Sequence, residues 1–254
     1  MGTVRVEDRS GGVRILTLDR PPANAEDETL LTDLSAALDD TRDNMDVRAV
    51  VLTGAGKFFS GGFDLSAPRR ENEQIVIMTN VFRDAHVKLL TMPKPTITMM
   101  NGHAIAGGLI LVLACDYRLG LDGDYKIGLN EVAIGAAYPK VAMEIVRLRL
   151  THQRASELLL GAALYPASQA IRLGVVDELF PPEKLEETVM RRAERVGAFP
   201  REAYVHTKMA LVADTVARVM GEPAEDSARA AAVWMTPESR AARAKQREKL
   251  GKKG

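Results

Sequence analysis

Two glycine-containing turns in this sequence could present backbone N–H groups to a bound molecule. One lies in Ser60-Gly-Gly-Phe-Asp64, and the other lies in Ile105-Ala-Gly-Gly108, directly before an apolar run that is typical of a buried helix. Glycine lets another molecule approach the backbone closely, and free N–H groups at the start of a helix favour negative charge. Two such donors side by side would form an oxyanion hole, which stabilises a carbonyl oxygen that gains charge during a reaction. A Gly-Gly pair taken alone more often serves close packing of a helix against a strand, so this interpretation needs support from other residues.

Glu131 is the side chain best suited to work with such a hole. Its sequence neighbours Leu129, Val132 and Ile134 are apolar, so we expect its carboxylate to face an apolar environment. Desolvation there would raise the pKa of the carboxylate and suit it to moving a proton. The structural alternative is that Glu131 caps a helix or forms an ion pair with a nearby base such as Lys140.

Other catalytic chemistries find little support in the sequence. The histidines are scattered, His103 alone lies near the glycine turns, and Glu202 with His206 has no further ligands nearby, so we expect no metal site. Ser60 lacks the Gly-x-Ser-x-Gly context of a hydrolase nucleophile. Neither of the glycine motifs that bind nucleotide phosphates occurs, so redox and phosphoryl-transfer functions lose their usual supports.

The composition is that of an ordinary soluble protein. Of 254 residues, 46% are hydrophobic, and 34 basic residues balance 34 acidic ones, which argues against nucleic acid as a partner. The single cysteine, Cys115, cannot form an internal disulfide and favours a reducing compartment. The N-terminus lacks the apolar core of a signal peptide, and no run of about 18 apolar residues occurs. We therefore expect a cytoplasmic protein without a membrane span.

Strand-like and helix-like segments alternate in the first half of the chain, which predicts an α/β fold. The loop after residue 53 is rich in glycine, yet Phe58, Phe59 and Phe63 are too apolar for a loop that faces solvent, so we expect it to line a site. The strand candidates are residues 13–19, 47–53, 95–100 and 116–119, and the helix candidates are residues 26–43, 70–90 and 109–114.

Helical patterns dominate after Glu131. The basic tail at residues 240–253 is helix-prone but poor in apolar residues, which fits either a solvated terminus or a subunit contact. The remaining helix candidates are residues 138–150, 154–160, 167–173, 185–199, 203–220 and 224–235, and one strand candidate at residues 175–180 interrupts them.

Taken together, these segments resemble the crotonase, or enoyl-CoA hydratase/isomerase, family. The motifs that carry the resemblance follow one another in the family's order along most of the chain, which is far more specific than any one of them alone. They are residues 18–25 (LDRPPANA), 51–54 (VLTG), 59–64 (FSGGFD), 94–95 (KP), 101–108 (NGHAIAGG), 115–116 (CD) and 174–177 (GVVD).

The resemblance implies a crotonase-type spiral of strand–strand–helix turns in residues 1–195 and a helical oligomerisation region in residues 196–254. It also implies an acyl-CoA substrate, a homotrimer or dimer of trimers, and no cofactor apart from the coenzyme A of the substrate. Carried over motif by motif, the oxyanion donors would be the backbone N–H groups of Phe63 and Gly107. The residues that would contact coenzyme A are Pro22, Ala23, Ala25, Asp64 and Leu65.

One departure from the family pattern bears on the reaction. Family hydratases carry a glutamate three residues after the oxyanion glycine and a second one later, and these positions hold Ile110 and Glu131 here. Hydration usually divides its proton transfers between two carboxylates, whereas moving a double bond from the 3,4 to the 2,3 position needs one base. The lone glutamate therefore looks most like the Δ3,Δ2-enoyl-CoA isomerase branch. The alternatives are an enoyl-CoA hydratase, an acyl-CoA hydrolase and a catalytically silent acyl-CoA-binding protein.

Overall fold

The computed structural model describes residues 2–65 and 72–251. Within those ranges the chain forms a six-stranded sheet, a four-stranded sheet and ten α-helices. The strands are β1 Val4–Arg9, β2 Val13–Leu18, β3 Ala49–Gly54, β4 Phe58–Ser60, β5 Thr96–Met100, β6 His103–Ile105, β7 Tyr117–Leu121, β8 Lys126–Gly128, β9 Tyr165–Pro166 and β10 Glu178–Phe180. The helices are α1 Glu28–Asp43, α2 Asn72–Leu90, α3 Gly107–Ala114, α4 Lys140–Arg149, α5 His152–Gly161, α6 Ala170–Leu173, α7 Pro182–Gly197, α8 Arg201–Met220, α9 Ala224–Met235 and α10 Pro237–Gly251.

The larger sheet carries a hydrophobic core on each face. Its order is β1-β2-β3-β5-β7-β10, with β1 antiparallel to β2 and the other neighbours parallel. All six residues of β3 are buried, as expected for a parallel strand that helices cover on both sides. Val50 and Leu52 pack with the buried residues of α1, α2 and α3. Ala49 and Val51 pack with α7 on the opposite face.

The strands and helices form a spiral in which each turn adds one strand to each sheet and then a helix. β3 lies in the large sheet, β4 lies in the small one, and α2 follows; β5, β6 and α3 repeat this order. In the small sheet β4, β6 and β8 run parallel. This arrangement confirms the expected α/β spiral of the crotonase type. It also places the loops that follow β4 and β6 at the same edge of the small sheet.

The sequence pattern does not predict several of the short segments. β4, β6 and β8 have three residues each, which is too few to show an alternating pattern, and β1 is largely exposed and charged. β10 begins at Glu178, later than predicted, and a 3₁₀ turn at Ala167–Gln169 shortens the helix predicted there. Residues 70 and 71, predicted to begin the second helix, and residues 252 and 253 of the basic tail lie outside the described residues.

The first helix begins two residues later than its apolar pattern predicts, and this changes the role of Glu26. Asp27 has extended backbone, and its carboxylate accepts a hydrogen bond from Leu30 N at 2.8 Å, so Asp27 is the N-cap. Glu26 therefore precedes the helix. It forms an isolated parallel bridge with Phe63, and its side chain is completely buried.

The C-terminal helices pack back onto the spiral. α8 lies against α4 and buries Lys208, whose ammonium group donates to the Asp116 carboxylate at 2.7 Å. Arg243 of α10 donates to the Gly135 carbonyl at 2.8 Å, so the basic tail contacts the segment that follows Glu131. The division of the chain near residue 195 stays a prediction. No helix among the described residues is both long and apolar enough to cross a membrane.

Candidate functional site

The two glycine turns singled out from the sequence are in direct contact. Gly62 has a φ of 74°, and a Cβ atom built on it would lie 2.6 Å from Ala106 Cβ and 2.9 Å from Gly107 N. Glycine is therefore required at residue 62 both by the backbone conformation and by the close approach of the second turn. The contact follows from the parallel pairing of β4 with β6, which ends both strands beside each other.

Phe63 presents one free backbone N–H group at this contact. Its two neighbours in the chain make the hydrogen bonds of the bridge with Glu26: Glu26 N donates to Gly62 O at 2.8 Å, and Asp64 N donates to Glu26 O at 3.0 Å. The N–H of Phe63 takes no part in this bridge and has no acceptor within the described ranges. It is available to a bound oxygen atom.

Gly107 presents the second free N–H group because it is the first residue of α3. Ala106 precedes it with a non-helical backbone, φ 54° and ψ −126°, and the Ala106 carbonyl accepts from Leu109 N and Ile110 N. The N–H of Gly107 lies ahead of these bonds, and no described residue accepts it. The rest of α3 is completely buried, including Ile110, so α3 offers backbone donors at its start and no polar side chain.

Glu131 is buried in the segment that follows β8. β8 pairs with β6, and Ala106 N donates to Gly128 O at 2.8 Å, so the segment that carries Glu131 starts beside α3. The residue is 5% exposed, and its Oε2 atom has no hydrogen-bond partner among the described residues. Burial raises the pKa of its carboxyl group to about 7, and its own backbone N–H and, less strongly, the Tyr138 hydroxyl oppose this rise. This environment matches the one that its apolar neighbours predict.

The structural alternative for Glu131 is wrong. Lys140 pairs with Glu144 instead, at 3.5 Å. Glu131 precedes the 3₁₀ turn Val132–Ile134, but its side chain makes no capping hydrogen bond there. Neither an ion pair nor a cap explains why a carboxylate is buried at this position.

Sequence reasoning misses a second buried carboxyl group, that of Glu26. It is 0% exposed, and its Oε2 atom lies so near Gly107 that a Cβ atom on that glycine would be 2.0 Å away. Burial, opposed by a hydrogen bond from Ser60 and reinforced by the charge of Glu131, raises the pKa of Glu26 to about 8. An acidic residue just before a helix is favourable in any protein, so the sequence carries no signal that this one is buried.

The residues expected to contact coenzyme A from the first loop surround a buried anchor. Pro22 is exposed, and Ala23 and Ala25 are half-buried. Asn24 between them is buried: its side-chain oxygen accepts from Arg20 N at 3.0 Å, and its amide donates to Phe58 O at 2.8 Å. Asn24 thereby holds the loop against β4.

Asp64 and Leu65, the other two expected contacts, are half-buried directly after Phe63. The Asp64 carboxylate accepts from Arg20 at 2.6 Å, and Arg20 also pairs with Asp27 at 2.9 Å. These ion pairs tie the first loop to the turn after β4. Contact of either residue with coenzyme A stays a prediction.

Aromatic side chains from three parts of the chain meet at Phe63. The Phe63 ring stacks on Phe82 at a centroid distance of 5.0 Å, and the edge of Trp234 meets Phe63 at 5.9 Å. Trp234 lies on α9 and donates to Ala137 O at 3.2 Å, so this C-terminal helix packs onto the site of its own chain. The sequence does not indicate this contact, because an isolated aromatic residue in a helix has no specific pattern.

His103 has a structural role, since its Nδ1 accepts from Lys126 N at 3.0 Å.

Comparison with known proteins agrees with this architecture. A family model described as enoyl-CoA hydratase/isomerase matches residues 8–243. A Thermus thermophilus relative named "Putative enoyl-CoA hydratase" is 34% identical over 234 residues, which cover 90% of this chain and 89% of that protein. The Homo sapiens relative named mitochondrial enoyl-CoA delta isomerase 1 is 27% identical over 216 residues, or 84% of this chain and 72% of that protein.

The similarity extends to solved structures. The crystal structure of human mitochondrial delta3-delta2-enoyl-CoA isomerase matches with a TM-score of 0.94 at 25% identity, over 99% of both chains. Both hydratase and isomerase names occur among the relatives, and hydratase names are the more frequent. The sequence motifs, the spiral and the paired glycine turns all point the same way, and the chain belongs to the enoyl-CoA hydratase/isomerase family.

Proposed function

We propose that this protein shifts the double bond of a 3-enoyl-CoA to the 2,3 position. The observation that carries the proposal is the combination of the buried carboxyl group of Glu131, whose Oε2 atom has no partner among the described residues, with an apolar side chain, Ile110, on the helix that begins at Gly107. The pKa of Glu131, raised by burial to about 7, makes it a stronger base than an ordinary carboxylate and leaves about half of it deprotonated at neutral pH.

In the proposed mechanism the thioester oxygen accepts hydrogen bonds from the backbone N–H groups of Phe63 and Gly107. Glu131 removes a proton from C2 of the substrate, and the electron pair left behind spreads over the thioester oxygen and the neighbouring double bond. The two N–H donors stabilise the negative charge of this dienolate. Glu131 then returns the proton to C4, which leaves the double bond between C2 and C3.

The test is a turnover panel of 3-enoyl-CoA and 2-enoyl-CoA thioesters, followed by ultraviolet absorbance and product analysis. We expect the wild type to convert the 3-enoyl substrate, and Glu131→Gln to lose about 10³-fold or more in rate. Glu187→Gln, a change of the same kind at an exposed position, is the control and should retain the wild-type rate. A Glu131→Gln variant that isomerises as fast as the wild type would refute the assignment.

The second candidate function is hydration of a 2-enoyl-CoA. Glu26 favours it specifically, because this carboxyl group lies against Gly107 and interacts electrostatically with Glu131. Formation of 3-hydroxyacyl-CoA in the same panel would select this reaction. Release of free coenzyme A would select thioester hydrolysis, and tight binding without turnover would select a silent acyl-CoA-binding protein.

We also propose that the chain forms a homotrimer or a dimer of trimers. Large apolar side chains that lie exposed on the single chain support an assembly: Leu160 is 74% exposed, and Leu211 and Met220 are each 63% exposed. Light scattering that gives a single species of 27.7 kDa would contradict this part of the proposal.

Cytoplasmic location, and coenzyme A entering only as part of the substrate, remain expectations.

A further inference from the structure

Glu26 joins the two turns that carry the oxyanion donors. Its backbone bonds to Gly62 O and Asp64 N hold the residues on either side of Phe63. Its side chain crosses to the other turn, where Oε2 lies against the α-carbon of Gly107. A single residue therefore contacts both turns, one through its backbone and the other through its carboxyl group.

Few hydrogen-bond donors surround the carboxyl group of Glu26, so a negative charge on it would be poorly stabilised. The nearest side-chain donor is Ser60, whose Oγ lies 3.3 Å from Oε1 but only 2.8 Å from its other acceptor, Asn24 O. Oε2 has no hydrogen-bond partner within the described ranges. A buried carboxylate normally has several donors or a cation, so the uncharged acid is the form that fits here.

The titratable groups around Glu26 do not compensate such a charge. Glu131 adds negative charge, and α3 carries no titratable side chain near its start. His86 of α2 is neutral, because burial lowers its pKa to about 4. The Arg20 guanidinium is already engaged by Asp27 and Asp64.

We propose that Glu26 is a positioning residue of the oxyanion site: as an uncharged acid it fixes the Phe63 and Gly107 donors relative to each other, and its ionisation switches the site off. The inference rests on the proposed function, in which these donors bind the thioester oxygen. An ionised carboxylate behind Gly107 would repel the negative charge that develops on that oxygen, so the effect should appear in kcat more than in KM.

The test compares kcat and KM from about pH 6 to about pH 9.5 in the wild type, Glu26→Gln and Glu26→Leu. We expect wild-type kcat to fall on the alkaline side as Glu26 ionises, with a midpoint near its pKa of about 8. Glu26→Gln keeps the shape and cannot ionise, so it should be about threefold slower at neutral pH yet show no alkaline fall. Glu26→Leu can neither ionise nor bond to Ser60. It should lose about tenfold or more in kcat at every pH, because backbone donors that are no longer fixed stabilise the thioester oxygen less well.

Controls separate this inference from the proposed function. Glu28→Gln, exposed in the first turn of α1, should keep the wild-type profile. An alkaline fall that persists in Glu26→Gln would overturn the switch, and wild-type kcat in Glu26→Leu would overturn the positioning role.

If the wild type does not isomerise 3-enoyl-CoA at all, the proposed function fails by itself. Carbon-13 NMR of the glutamate carboxyl groups then decides this inference: a signal titrating near 8 that disappears in Glu26→Gln supports it, and its absence refutes it.

Discussion

At the scale of single residues, Glu131 owes its chemistry to burial and not to an ion partner. Loss of water raises the pKa of its carboxyl group to about 7, because the charged form is poorly solvated there. A base must be deprotonated to act, so kcat/KM should rise with pH through about 7. Its own backbone N–H and, less strongly, the neighbouring Tyr138 hydroxyl favour the charged form and lower this pKa.

Replacing Tyr138 by phenylalanine should therefore move the acid limb of the pH profile to higher pH. The pKa of Glu131 rises when the hydroxyl is removed, so less of the base is deprotonated near neutral pH and the rate there falls. Profiles of kcat/KM against pH measure the shift directly. Tyr165→Phe, which removes a hydroxyl from β9, is the control and should leave the acid limb in place. An unmoved limb in Tyr138→Phe would mean that the hydroxyl does not influence Glu131.

At the scale of elements, the start of α3 is defined by two glycines that face different neighbours. A Cβ atom on Gly107 would meet the terminal oxygen of the Glu26 side chain at 2.0 Å, whereas one on Gly108 would meet the backbone oxygen of Ser60 at 2.4 Å. A side chain can move aside, but the backbone of β4 is held in the small sheet. The two glycines should therefore differ in how well they tolerate substitution.

We expect Gly108→Ala to lower the free energy of unfolding by about 2 kcal/mol or more, because the added methyl group displaces β4. Gly107→Ala should cost less stability, and adding Glu26→Ala should recover part of that cost by removing the atom in the way. Gly161→Ala, where the nearest atom would be 3.9 Å away, is the control. Urea denaturation of the four variants measures these differences. Equal losses for Gly107→Ala and Gly108→Ala would contradict the argument.

At the scale of the whole molecule, Asp116 connects the spiral to the C-terminal helices. Its Oδ2 atom accepts from Thr96 N at 3.0 Å at the start of β5 and from the Tyr204 hydroxyl at 3.0 Å on α8. Lys208 of α8 donates to the same oxygen at 2.7 Å and is almost completely buried. Removing the carboxylate would leave a buried ammonium group without its partner.

Asp116→Asn should accordingly lower the free energy of unfolding by about 3 kcal/mol. Combining it with Lys208→Met should restore part of the loss, because the buried positive charge is then absent as well. Asp43→Asn, which breaks an exposed ion pair with Arg42, is the control and should change the stability far less, because water screens that pair. Chemical denaturation of the three variants and the wild type provides the comparison. A double variant less stable than Asp116→Asn would contradict this explanation.

Much of this protein can be predicted from its sequence, because local patterns determine much of the fold. The alternation of apolar strands and helices predicts the α/β class, and the apolar neighbours of Glu131 predict its burial. The order of the motifs identifies the family, and the glycine turns indicate where backbone donors lie. These features depend on residues that are close together in the chain.

Only the tertiary structure decides what lies between the two turns. Glu26 reads as the first residue of an amphipathic helix, yet the Asp27 cap starts that helix later and the pairing with Phe63 buries Glu26 beside Gly107. Trp234 reaches Phe63 from α9, more than half the chain away. Contacts of this kind arise when distant segments pack, and packing, which sets burial and the distances between charges, leaves no periodic signal in the sequence.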